Sequence, residues 1–238
     1  MSLFNGLYLY EVVMLFLGAF LFIVLVLALV YQMMHKRNFA GLLAFFVLSI
    51  VMMGYPSIKS VQFQNDTLTI DKTTHDLQSK PADAQVRSEL EKEVAKVSDR
   101  PTSDPAALTR LANAQFALGN ETAAEQNVQK ALQRDPNAQP AQELQKKIIA
   151  FHNLDSMATQ VEKHPDDPAA KQELQQALNQ ASQQPTANPG ALTKIAKAQA
   201  VLGQQEKATE NVNKALQINP NLMEAKKIQT LILANHQH

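Results

Sequence analysis

Two stretches of this chain carry one pattern 84 positions apart: LANAQFALGNETAAEQNVQKALQRDPN from Leu111 and IAKAQAVLGQQEKATENVNKALQINPN from Ile195. The register between residues 101–148 and 185–232 holds without a gap, and about half of the aligned positions are identical. A pattern this long, repeated at a fixed offset, means a repeated supersecondary unit, which restricts the fold more than any single motif does. Leu108, Leu111, Ala112 and Gln115 recur at helical spacing behind Asp104, a good N-cap, and Pro105, a good first residue. Gly119 suits the left-handed residue that closes such a helix. Asn120 and Glu121 open a second helix with Ala124, Val128, Ala131 and Leu132 on one face, and Asp135–Pro136 ends it. The small alanines at 112, 124 and 131 let the two antiparallel helices approach closely. A pair like this cannot cover its apolar face alone, so it must stack on neighbours.

This spacing resembles the tetratricopeptide repeat over residues 105–138 and again over 189–222. Leu108, Leu111, Ala112, Gln115, Gly119, Ala124, Val128, Ala131 and Pro136 stand at the motif's marked sites. Leu192, Ile195, Ala196, Gln199, Gly203, Ala208, Val212, Ala215 and Pro220 repeat them. The large aromatic usual in the first helix is leucine, and the usual tyrosine is glutamine. Other segments read as degenerate repeats. A long helix over about 138–163 takes the first-helix role with 167–183 as its second. Residues 81–97 play the second role earlier, after a stunted first helix at 73–80. A helix over about 222–235 caps the stack.

The N-terminal quarter has a different character. Val12–Met33 contains no charge and, at about 1.5 Å per residue, spans roughly 33 Å, enough for a hydrocarbon core of about 30 Å. A second run, Phe39–Tyr55, covers only about 26 Å, and Pro56 is expected to limit it. Tyr8, Tyr10, Tyr31, Phe39 and Tyr55 mark the ends, where aromatic rings favour the interface. A cleaved signal peptide fits poorly, because no positive charge precedes the first run and the run is too long. Lys36 and Arg37, between the runs, favour the cytoplasmic side, which puts both termini and the C-terminal part on the other side, periplasmic if the cell is Gram-negative. Gly18, Ala19, Ala40, Gly41 and Ala44 are small residues suited to packing the two helices together, or to docking another membrane subunit. Ser49 is expected to bond back to its own helix.

Between the runs and the repeats, Val61 and Phe63 alternate with polar residues, as do Leu68 and Ile70, with turn chemistry at Asn65–Asp66. This predicts a short β-hairpin. The expected architecture is therefore all-α apart from that junction: a transmembrane hairpin over 1–56 with helices at 12–33 and 39–55, a β-hairpin junction over 57–72, and a tetratricopeptide-like α-solenoid over 73–238.

The charges balance at 22 basic and 22 acidic residues, so no field draws the chain to a phosphate backbone, and nucleic acid is not expected as a partner. There is no cysteine, and hence no disulfide or thiolate site. The six histidines form no HExxH pattern, Asp166–Asp167 read as a helix cap, and no glycine-rich phosphate loop occurs. No catalytic set, cofactor site or metal site is expected, and the chain is not read as an enzyme.

What remains is surface. By the resemblance, a partner groove is lined by outward positions of each first helix: Ala106, Thr109, Asn113, Phe116 and Ala117, then Gly190, Thr193, Lys197, Ala200 and Val201. Phe116 is a large apolar side chain there, suited to a peptide or to a neighbouring helix. Asn113 and Lys197 partly match the carboxylate clamp of some stacks in this family, but Thr109 and Thr193 stand where another cation belongs, so no clamp is expected. The two apolar runs, the duplicated motif and the missing catalytic set together lead to the expectation of a membrane-anchored scaffold or assembly factor that binds a protein partner, either a peptide segment or a membrane-complex subunit. The other reading is an accessory subunit of a membrane enzyme or transporter, recognised through its hairpin. A second copy of the chain is a further candidate partner.

Overall fold

Three of the repeated helices start at a short side chain followed by a proline. Asp104 accepts from the Ala106 amide (3.1 Å), Asp167 from Ala169 and Ala170 (2.9 and 3.1 Å), and Asn188 from Gly190 and Ala191 (2.8 and 3.1 Å). Each such cap is worth about 0.5–2 kcal/mol. The computed structural model describes residues 4–35 and 40–235. Among these it has ten α-helices and no strand: α1 (Leu9–Met34), α2 (Ala40–Ser79), α3 (Ala84–Ser98), α4 (Pro105–Leu118), α5 (Glu121–Arg134), α6 (Gln139–Lys163), α7 (Pro168–Ser182), α8 (Pro189–Val201), α9 (Gln205–Ile218) and α10 (Met223–Asn235).

The junction differs from the expectation. Residues 57–72 are not a β-hairpin; they lie inside α2, which runs unbroken for 40 residues with Pro56 in its interior. Proline removes one helical hydrogen bond and crowds the preceding turn. In that turn the Ser57 hydroxyl donates to the Met53 carbonyl (2.9 Å). The outer half of α2 then packs against the repeats through Phe63, Thr67, Ile70, Thr74 and Leu77, all buried and spaced by three and four. It is a full-length first helix, where the sequence suggested only a stunted one at 73–80.

This completes the duplication. Ile70, Thr74 and Leu77 on α2 match Leu154, Ala158 and Val161 on α6 at the same 84-residue offset, and all six are buried. Leu90, Val94 and Val97 on α3 match Leu174, Leu178 and Ala181 on α7 in the same way. The stack is thus one four-helix unit written twice, α2–α5 and α6–α9, followed by α10. One core cluster joins α4 to α8 around Phe116, Phe151 and Leu154; another joins outer α2, α3 and α4; a third joins α8, α9 and α10.

The α4–α5 and α8–α9 hairpins agree bond by bond. Gly119 and Gly203 both take positive φ, +92° and +77°. Asn120 N–H donates to the Gln115 carbonyl and Gln204 N–H to that of Gln199, both at 2.8 Å. The glutamines that replace the motif's tyrosine accept from asparagine across the hairpin, Asn127 to Gln115 at 2.8 Å and Asn211 to Gln199 at 2.9 Å.

Past Glu11, α1 packs on inner α2, and the pair otherwise stands bare. An added Cβ on Gly18 would lie 2.9 Å from Met52 and Met53, so the glycine sets the approach of the helices. The Ser49 hydroxyl donates to the Gly18 carbonyl of α1 (2.9 Å), across the pair and not back along its own helix. Phe22 and Phe46 meet edge to face at 5.6 Å. Gly41 has open space and Ala44 is exposed, so they take no part in this packing. Phe16, Leu17, Phe20, Ile23, Leu27 and Val47 are among the large apolar side chains left exposed. Both helices are long and apolar enough to cross a membrane. Lys36 and Arg37, on which the expected sidedness rests, lie outside the described residues.

Candidate partner-binding groove

The first helices of successive pairs, outer α2, α4, α6 and α8, line one side of the stack. Between outer α2, α4 and α6 a cleft of about 920 Å³ opens. Its wall carries Asp71 from α2, Arg110 and Asn113 from α4, and Glu143, Lys146 and Lys147 from α6, with Asp135 at the end of α5. Cations and carboxylates are thus mixed along one wall, which suits a polar polypeptide more than a uniformly charged ligand. Lys147 is the most constrained of these cations. Its ammonium donates to the Pro185 carbonyl (2.9 Å) and lies 5.6 Å from the centre of the Phe116 ring, and burial holds it below the usual lysine range.

The six residues assigned to a groove from sequence do not share one place. Thr109 and Asn113 line the cleft. The Thr109 hydroxyl is used within α4, donating to the Pro105 carbonyl (2.7 Å), which leaves Asn113 as the half-exposed polar group of the pair. Phe116 is only 2% exposed, stacked on Phe151 of α6 at 5.9 Å, so its ring packs against the neighbouring helix. Thr193 is buried and donates to the Pro189 carbonyl (2.8 Å), the counterpart of the Thr109 bond. Lys197 is held by α6, 2.9 Å from Asp155 and 2.7 Å from the Thr159 hydroxyl. Val201 packs half-buried against the main core. Of the wider set, Ala106 lines the cleft and Ala117 is buried.

Residues 105–138 match the family described as tetratricopeptide repeat. That range is the α4–α5 hairpin with its closing turn, and it supplies Asn113, Arg110 and Asp135 to the cleft. The match covers one repeat of the stack. No curated protein and no solved structure matches the chain.

Sequence reasoning missed the contributions of α2 and α6 to the cleft: Asp71, Glu143, Lys146 and Lys147. The signal was present in the 84-residue offset, which makes α6 and outer α2 equivalent first helices. A second, smaller cleft lies beside the tetratricopeptide hairpin near Glu121, Gly190, Lys194 and Glu224. Lys194 closes on Glu121 at 2.6 Å and Asn188 donates to the same carboxylate (3.2 Å), so this region joins the two copies of the unit. Among the described residues no group of three or more His, Asp or Glu is placed to hold a metal ion.

Proposed function

We propose that the chain is a membrane-anchored interaction scaffold, with α1 and inner α2 in the bilayer and the repeat stack offering its cleft to a protein partner. Tetratricopeptide repeats serve protein–protein interaction and are typically not enzymes. The observation that carries the reading is the pairing of two helices that are bare and apolar around most of their circumference with a repeat stack whose surface is largely polar, on the same continuous helix. Exposed apolar surface on that scale needs lipid or protein to cover it. Lys36 and Arg37 between the spans favour the cytoplasmic side, so the stack and both termini lie outside the cytoplasm, in the periplasm if the cell is Gram-negative. An assembly factor for a membrane complex is the role this arrangement serves best.

Co-purification from solubilised membranes tests this with the full chain and with Asn113→Arg, which fills the cleft from an exposed edge. A stoichiometric partner captured by the wild type and lost with Asn113→Arg supports recognition in the cleft. A partner kept by both makes the transmembrane pair the recognition element, as for an accessory subunit of a membrane enzyme or transporter. Recovery of the chain in the soluble fraction after alkaline washing overturns the anchor.

A further inference from the structure

Outer α2 has two apolar faces, and the repeat stack uses one. Phe63, Thr67, Ile70, Thr74 and Leu77 pack inward. Ile58, Val61 and Leu68 stand on the opposite side, 60%, 58% and 54% exposed. At 100° per residue the centres of the two stripes lie about 170° apart. Lipid does not reach the whole of the outer stripe: Leu68 is 13 residues past the interfacial Tyr55, or about 20 Å along the helix.

The spacing of this bare face is that of a coiled-coil seam. Ile58, Val61, Asn65, Leu68 and Lys72 follow one another by three, four, three and four. The series continues inward through Gly54, Val51 and Val47, so the seam crosses the proline and enters the apolar span. In heptad terms Val51, Ile58, Asn65 and Lys72 fall at a, and Gly54, Val61 and Leu68 at d. Ile58 at a with Leu68 at d is the combination that favours two strands, and Asn65 at a fixes register and partner number. An added Cβ on Gly54 would meet nothing within 4 Å, so this seam position is open to a close neighbour.

The internal duplication provides a control. At the positions of α6 equivalent to Ile58, Val61, Asn65 and Leu68 stand Gln142, Gln145, Ile149 and His152. A first helix of this unit therefore does not need an apolar outer face to hold the stack; outer α2 carries one for another reason.

We propose that outer α2 pairs with the same helix of a second copy of this chain, as a parallel two-stranded coiled coil whose core is Ile58, Val61, Asn65 and Leu68. Charge selects the second copy. The flanking positions Ser57, Gln62, Gln64 and Thr69 are uncharged, so like meets like without repulsion. Lys72 at a meets Lys72 of the other copy, and Asp71 of each copy, at the preceding g position, lies beside that pair and offsets its repulsion. Asn65 meets Asn65, two amides that satisfy each other across a two-fold axis. The parallel orientation rests on the membrane reading, because both copies then enter the bilayer from the same side.

The chain has no cysteine, so single thiols report without background. In washed membranes carrying the full-length protein, Val61→Cys and Leu68→Cys form disulfide-linked dimers on mild oxidation, several-fold more than Lys92→Cys on the exposed side of α3. Adding Leu68→Glu to Val61→Cys lowers that dimer several-fold, while Asn65→Ile adds higher oligomers. Equal cross-linking at all three positions, or none, overturns the pairing, as does a linked band that contains a different protein. If the seam lay on the lipid surface instead, the thiols would stay monomeric. Recovery in the washed pellet reads the anchor alone, so failure of the anchor and failure of the pairing are told apart.

Discussion

At the residue scale, the duplication is exact enough in its chemistry to be tested at single positions. Gly119 and Gly203 hold positive φ at the two hairpin turns; an added Cβ finds ordinary contact at 3.5 Å in the first and open space in the second. Both penalties are then those of left-handed backbone, so Gly119→Ala and Gly203→Ala each cost about 1–2 kcal/mol. Denaturant unfolding in detergent measures this, and a much larger cost at Gly119 means that crowding against Pro189 governs the turn. Glu93 on α3 is a second case. Burial chiefly raises its pKa, Glu89 and Asp66 add to this, and the Thr73 hydrogen bond and Lys96 oppose it. A carboxyl whose folded pKa exceeds its unfolded value binds its proton more tightly when folded, so stability rises as pH falls through the folded pKa. Glu93→Gln therefore raises Tm at pH 7, and the advantage disappears as pH falls through the raised folded pKa to the ordinary glutamate value. The caps at Asp104 and Asp167 were legible in sequence because a cap depends on its own next three residues. The burial of Phe116 was not, since it depends on Phe151 from a helix whose reach over α4 no local pattern states.

At the element scale, α2 shows how a correct pattern leads to a wrong period. Val61 with Phe63, and Leu68 with Ile70, are two apart, as in a strand. On a helix two residues are 200° apart, so two opposed apolar stripes leave the same signature as alternation. Only the three-and-four spacing of Phe63, Thr67, Ile70, Thr74 and Leu77 separates the cases, and two threonines among them hide it. The hairpin and the helix make different predictions for neighbouring residues. In a strand Leu68 and Ile70 share a face, and their truncations cost alike. In α2 Ile70 is fully buried, so Ile70→Ala costs the repeat stack about 2–5 kcal/mol. Leu68→Ala leaves the stack within about 0.5 kcal/mol and acts only on pairing between copies. Protection of the α3 and α4 amides from hydrogen exchange reads the stack separately from that pairing.

At the scale of the whole molecule, the apolar helix pair and the repeat stack are joined twice. One join is α2 itself, which passes from the apolar span into the repeats. The other is a clasp at the start of α1, between groups roughly 90 residues apart in sequence and so invisible to periodicity. The Gly6 amide donates to the Pro101 carbonyl (3.0 Å), the Tyr8 hydroxyl to the Asp99 carbonyl (2.9 Å), and Arg100 to the Gly6 carbonyl (2.7 Å). Arg100 also lies 5.5 Å from the centre of the Tyr8 ring and 3.6 Å from the Glu11 carboxylate, which is wholly buried. Glu11 accepts from the Tyr8 amide (2.9 Å) through one oxygen, and the other has no hydrogen-bond partner. Such a carboxylate depends on its cation. Arg100→Ala strands it, at a cost of about 3–5 kcal/mol, and Glu11→Gln with Arg100→Ala recovers part of that by removing the stranded charge. The loss is local: residues 4–8 and the α3–α4 turn become open to exchange and proteolysis, while α5 to α9 keep their protection. A uniform loss across the stack would make the second join an integral part of the repeat core. Confinement to the clasp leaves α2 as the one rigid link that sets how the cleft is oriented relative to the apolar helix pair.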